Sequence, residues 1–116
     1  MRILIADDKR DLVEILEERV KMRNCEADIA FDGEQALELI KRNQYDLVFV
    51  DHDMPVVTGL ELIGYIKKNH PGTKTVMVTG YAHIEASLVK RSGADEFLTK
   101  PFELEAIDEI IEKYRK

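Results

Sequence analysis

Ile3–Ala6 and Leu47–Val50 are apolar at every position, and acids follow each run directly. A strand with one wet face alternates apolar and polar residues, whereas a continuous apolar run marks a strand covered on both faces. Val76–Val78 and the shorter Phe97–Leu98 add two runs of the same kind. Cys25, Ala27, Ile29 and Phe31 alternate instead, as an edge strand does. Strands covered on both faces belong to parallel sheets flanked by helices, so the segments between the runs are expected to be helical.

Those segments carry helical spacing. From Asp8 to Met22, the residues Leu12, Val13, Leu16 and Val20 share one arc at about 100° per residue, with Glu14, Glu17 and Glu18 opposite. "DGEQ" (Asp32–Gln35) and "TGLE" (Thr58–Glu61) have the spacing of capping boxes. The stripes Ala36, Leu37, Ile40 and Leu62, Ile63, Ile66 follow them. Leu104, Ile107, Ile110, Ile111 and Tyr114 share one side of a last helix, while Ile84–Arg91 forms no tidy stripe. The alternation predicts one doubly wound (βα)5 domain over residues 1–116. With Cys25–Phe31 at an edge and right-handed crossovers, the parallel sheet takes the order 2-1-3-4-5, as in flavodoxin-like folds. Connections then leave the first and third strands on opposite sides, and ligands of open α/β sheets bind at that switch point.

Composition narrows the partners. Hydrophobic residues make up 45% and charged residues 34% of the 116, enough for a core and too apolar for disorder. Lys+Arg 17 against Asp+Glu 23 gives a net charge of -6, which argues against binding a phosphate backbone, so no direct nucleic-acid contact is expected. Cys25 is the single cysteine and begins an apolar alternation, which reads as a buried structural thiol. The opening "MRILIADDKR" is too short in apolar residues for a signal-peptide core, and no segment approaches the roughly 20 needed to span a bilayer. A cytoplasmic protein without membrane contact is the expectation.

The strand ends hold the chemistry. The first ends in Asp7 and Asp8, the third in Asp51, His52 and Asp53, the fourth in Thr79-Gly80, and the fifth in Thr99-Lys100-Pro101. Carboxylates gathered on one rim repel one another and call for a cation or a proton. Oxygen-only ligands favour a hard divalent ion, and Mg²⁺ takes one or two carboxylates together with phosphate oxygens. A carboxylate can also act as a nucleophile and form an aspartyl-phosphate. Lys100 and Thr79 are then placed to bind the other phosphoryl oxygens.

"ILIADD", "DLVFVDHDMPVVTGLELI", "VMVTGY" and "GADEFLTKPF" stand in this order from Arg2 to about Tyr114. In these motifs the chain resembles the receiver domains of two-component response regulators. The resemblance implies a phosphorylation-dependent signalling switch with Asp51 as phosphoacceptor. It implies that Mg²⁺ is ligated directly by Asp8, mainly through water by Asp7, and by the backbone carbonyl of Asp53 as well as by Asp51. Thr79 and Lys100 would engage the phosphoryl group, and Lys100–Pro101 would be cis, a state essentially confined to X-Pro bonds. The donor would be a phosphohistidine on a sensor histidine kinase or histidine phosphotransfer protein. Movement of Thr79 and reorientation of Phe97 would change the surface of the fourth helix, fifth strand and fifth helix. That surface would control an unknown output partner or output domain, since no helix-turn-helix follows Tyr114. The chain would catalyse only its own phosphoryl transfer and aspartyl-phosphate hydrolysis, as a monomer or an activation-dependent dimer.

Some positions depart from the family pattern or invite other readings. His52 replaces a usually apolar residue, and its neighbour Asp51 must point to the opposite face, so it is not expected to ligate metal. His70 and His83 show no ligand spacing with it. Asp53 and Tyr81 are expected to wall the mouth of the site, and a side chain at Gly80 to crowd an entering phosphoryl group. Ile15 and Met22 lie outside the core arc of the first helix, and Ile15 is a candidate contact for the donor. A haloacid-dehalogenase-type phosphatase also uses an Asp-x-Asp pair, but "DHDMP" lacks the usual Thr or Val two residues on. A flavodoxin-like flavin binder shares the strand order, but "ADDKRD" repels a phosphate.

Overall fold

The computed structural model describes residues 1–52, 54, 57–80 and 91–115. Strands β1 (Arg2–Ala6), β2 (Glu26–Ala30), β3 (Leu47–Asp51), β4 (Lys74–Thr79) and β5 (Glu96–Thr99) form one sheet in the order β2-β1-β3-β4-β5. Every pairing is parallel. Helices α1 (Arg10–Met22), α2 (Gly33–Arg42), α3 (Gly59–Asn69) and α4 (Leu104–Tyr114) are the described helices. α4 is the fifth helix of the expected alternation; the expected fourth, Ile84–Arg91, lies outside the described residues apart from Arg91.

The continuous apolar runs fill both sides of the sheet. Ile3, Ile5, Leu47, Phe49, Val76 and Val78 join the core built on α1 and α4. Their neighbours Leu4, Ala6, Val48, Val50 and Met77 join the core of α2 and α3. Successive strand side chains point to opposite faces, so only a run apolar at every position can serve both cores. All five residues of β3 are buried, as its central place requires. β2 is the expected edge strand, exposed at Glu26 and buried fully only at Ala30. β5 is the other edge and is partly exposed throughout; Leu98 packs on the α1–α4 side and Phe97 on the α2–α3 side. Cys25 is buried in the α1–α4 core.

Both anticipated caps form, each with a variation. The Asp32 carboxylate accepts the Gln35 N–H at 2.7 Å, but the Gln35 side chain accepts from Phe31 N–H, one residue before the position a capping box uses. Thr58 Oγ1 accepts the Glu61 N–H at 3.2 Å, and the Glu61 carboxylate receives the Thr58 hydroxyl. Among the described residues no helix is long and apolar enough to cross a membrane.

α1 and α4 are also tied by charge. Arg19 Nε donates to Asp108 Oδ1 at 2.9 Å, and Arg23 donates to Glu112 at 2.7 Å. Hydrogen bonding from Arg19, together with the positive fields of Arg19 and Arg23, outweighs desolvation and holds the Asp108 carboxyl below its ordinary 3.8. A carboxyl lowered in the folded state stabilises fully above its unfolded value and loses that contribution as pH falls through the folded one. Urea midpoints of the wild type and Asp108→Asn should therefore differ at neutral pH and converge as pH drops below 3.8.

Candidate functional site

Parallel strands deliver their last residues to one rim, and the register decides which meet. Ala6 pairs with Val50, so Asp7 and Asp51 leave neighbouring strands side by side. Asp51 pairs with Val78, and Thr79 with Thr99, which puts Thr79 and Lys100 at the next positions along the rim. The ladder continues past the strands: Asp7 N–H donates to Ala30 at 3.1 Å, His52 N–H to Val78 at 2.8 Å, and Lys100 N–H to Thr79 at 2.6 Å. The Lys100–Pro101 peptide is cis.

Asp7, Asp8 and Asp51 each offer a carboxylate oxygen, and these oxygens lie within 4.8 Å of one another. Asp7 and Asp51 are buried, while Asp8 faces solvent. Ammonium groups offset this charge. Lys100 Nζ stands 3.2 Å from Asp7 Oδ2 and 3.6 Å from Asp51 Oδ1. Lys9 Nζ stands 3.1 Å from Asp8 Oδ1 and 3.5 Å from Asp51 Oδ2. Each oxygen of Asp51 thus faces a lysine. Asp7 Oδ1 accepts the Lys9 N–H at 2.9 Å, so both Asp7 oxygens have donors within the protein. Desolvation opposes the charge on Lys9, but the hydrogen bond to Asp8 and the fields of Asp51, Asp7 and Asp8 raise its pKa above the usual lysine value.

Three of the four expected metal ligands and Lys100 are therefore brought together, with buried Thr79 on the same rim. Three oxygen donors at this spacing suit a hard divalent ion. Asp53 and Tyr81, the expected walls of the mouth, lie outside the described residues, as does His83. His52 is half-buried and does not join the carboxylate cluster, and His70 caps the far end of α3. Phe97 sits below the rim, half-buried against the α2–α3 core. A Cβ built at Gly80 meets nothing within 4 Å, so packing among the described residues does not demand the glycine. Ile15 and Met22 are exposed on α1, as their place off the core arc implies.

The response regulator receiver domain family model matches residues 3–112. The chain belongs to that family. Receiver domains are phosphorylation-dependent switches of two-component signalling and are generally not classed as enzymes. This receiver is 33% identical over 111 residues to the response regulator PilR of Pseudomonas aeruginosa, across 95% of its own length and 25% of PilR. It is 36% identical over 110 residues to the transcriptional regulatory protein TctD of Salmonella typhimurium, across 93% of its length and 49% of TctD. The chain thus spans a half or less of the length of these curated relatives. Among solved structures it is similar to the response regulator TrrA of Thermotoga maritima in complex with Mg²⁺-BeF, with a TM-score of 0.88, 35% identity and 98% of both chains covered. Membership in the receiver family decides against the phosphatase and flavin-binding readings.

Two contributors to this receiver's site went unread in its sequence. Lys9 is one; its signal was a cationic residue directly after the acidic pair. Gly59 is the other, since "TGLE" was read only as a cap. A Cβ on Gly59 would lie 2.6 Å from the Asp51 carbonyl oxygen and 3.0 Å from His52 Cα, so the start of α3 packs on the backbone that carries Asp51. Gly64, on the same helix, has nothing within 4 Å of a Cβ. Gly59→Ala should destabilise by about 1–3 kcal/mol through overpacking. Gly64→Ala should stabilise by about 0.5–1 kcal/mol, the ordinary gain at an open helix position. Urea unfolding of the two variants checks the contrast.

Proposed function

We propose that residues 1–116 act as one phosphoryl-accepting domain of a response regulator, with Asp51 as the acceptor. The observation that carries this reading is the position of Asp51: buried at the end of the central strand, with a lysine on each oxygen and two further carboxylates beside it. The other strand-end acids are less suited. Asp7 has one oxygen held by a fixed main-chain N–H, that of Lys9, and Asp8 is exposed.

In the proposed reaction a carboxylate oxygen of Asp51 forms a bond to phosphorus as the donor's P–N bond breaks. The electron pair leaves with the donor imidazole, which takes up a proton. Lys100 and Thr79 bind the equatorial phosphoryl oxygens, where charge accumulates, and the low dielectric of a buried rim strengthens those contacts. Asp8 and Asp51 would hold Mg²⁺ directly, Asp7 through water and Asp53 through its carbonyl, and the ion would supply charge neutralisation on the phosphoryl group. The Mg²⁺-BeF complex of TrrA supports this reading, because beryllofluoride imitates a phosphoryl group. Hydrolysis of the aspartyl-phosphate by water resets the domain.

The output follows from what touches the rim. Thr79 is drawn toward the new phosphoryl group, and Phe97 gives way toward the interior. Phe97 repacks without a hydroxyl to anchor it. The altered surface comprises β5, α4 and the segment between β4 and β5. A sensor histidine kinase or histidine phosphotransfer protein supplies the phosphoryl group. The surface acts on a partner or an output domain, with the chain as a monomer or an activation-dependent dimer in the cytoplasm.

Intact mass after incubation with a small acyl-phosphate donor and Mg²⁺ tests the proposal. One phosphoryl group should add to the wild type and none to Asp51→Asn. A wild type that stays unmodified with both a small donor and a phosphorylated histidine kinase contradicts it.

A further inference from the structure

The two lysines of the rim are not equivalent. Lys100 has a side chain only 19% exposed, and its own N–H continues the β4–β5 ladder. Lys9 has a side chain 57% exposed and stands at the N-cap of α1, where no side chain caps the helix. Its ammonium lies between Asp8 Oδ1 and Asp51 Oδ2. These are carboxylates that, on the metal reading proposed above, would hold a divalent cation. Asp7 differs, since a main-chain N–H and the better-buried Lys100 already fill its oxygens.

We infer that Lys9 is an internal counter-cation: it holds the Asp8–Asp51 edge in the metal-free protein and must leave that edge for a divalent cation to bind. Among the described residues, three carboxylates against two ammoniums leave the metal-free cluster with one net negative charge. Withdrawal of Lys9 presents a cation with two net negative charges, so the exchange replaces one positive charge by another of higher valence. A long, exposed, flexible stem makes Lys9 the lysine able to move. Its exposure also limits what the two ion pairs contribute, which bounds the effect on cation affinity to a modest factor.

The inference rests on the metal reading, and calorimetric titration of Mg²⁺ into metal-free protein separates the two. Lys9→Gln should bind Mg²⁺ about three- to tenfold more tightly than wild type, the span that a pair of partly exposed ion pairs covers. It should also melt at a lower temperature without metal and gain more on adding the same Mg²⁺ concentration, because binding to the folded state alone stabilises it. Lys21→Gln removes a positive charge from the far end of α1, where Lys21 pairs with Glu17, and should leave the affinity at the wild-type value. Lys9→Arg keeps the charge and should stay nearer to wild type than to Lys9→Gln. Equal Mg²⁺ affinity in wild type and Lys9→Gln, with both binding, overturns the inference and leaves the metal reading intact. An affinity of Lys9→Arg as tight as that of Lys9→Gln overturns it too, since the positive charge would then not be what opposes the cation. Mg²⁺ binding by neither protein removes the metal reading and the inference together.

Discussion

The architecture converges on a buried carboxylate that needs positive charge. Asp51 has a side chain only 3% exposed, and an ionised carboxylate taken from water costs several kcal/mol unless it is paired. Lys100 and Lys9 supply that pairing from opposite sides, one from the end of β5 and one from the start of α1. Neither lysine is near Asp51 in the chain. The charge balance therefore depends on the sheet order, which brings β1, β3 and β5 to a common rim. The two lysines differ in exposure, 57% for the Lys9 side chain against 19% for Lys100, so the pairing at α1 is the one open to solvent.

The rest of the fold holds that rim in place. β3 delivers Asp51 because each of its apolar residues is buried in one core or the other, leaving the strand no freedom to slip. α3 begins against the Asp51 backbone, with a glycine at the contact and a threonine cap to fix the entry. On the opposite side α1 starts beside the acids and is clamped to α4 by Arg19 and Asp108. The elements that flank Asp51 are thus packed on its backbone or paired beside its carboxylate. β5 carries Lys100 at its end and Phe97 within it, so one short strand links the rim to the partly exposed edge of the sheet.

Most of the fold was legible because burial on two faces leaves a plain signature. The runs Ile3–Ala6 and Leu47–Val50 became β1 and β3, and the alternation from Cys25 became the edge strand. The arc of Leu12, Val13, Leu16 and Val20 became the buried side of α1, although the helix starts two residues after Asp8. Asp7, Asp8, Asp51 and Lys100 were readable as neighbours because strand order and strand end together specify a rim position. Lys9 was not, because a flexible side chain beside acids reads as an ordinary surface charge until its distances are known. Gly59 was missed for a related reason: a close backbone approach leaves no periodicity.

The central claim is that one carboxylate, at the end of β3, takes the phosphoryl group. Borohydride reduces an aspartyl-phosphate to homoserine, which mass spectrometry of peptides places at a single residue. Reduction after phosphorylation in the presence of Mg²⁺ should yield homoserine at position 51 alone. Homoserine at Asp7, Asp8 or Asp53, or a phosphoryl group that survives reduction on another residue type, would contradict the account.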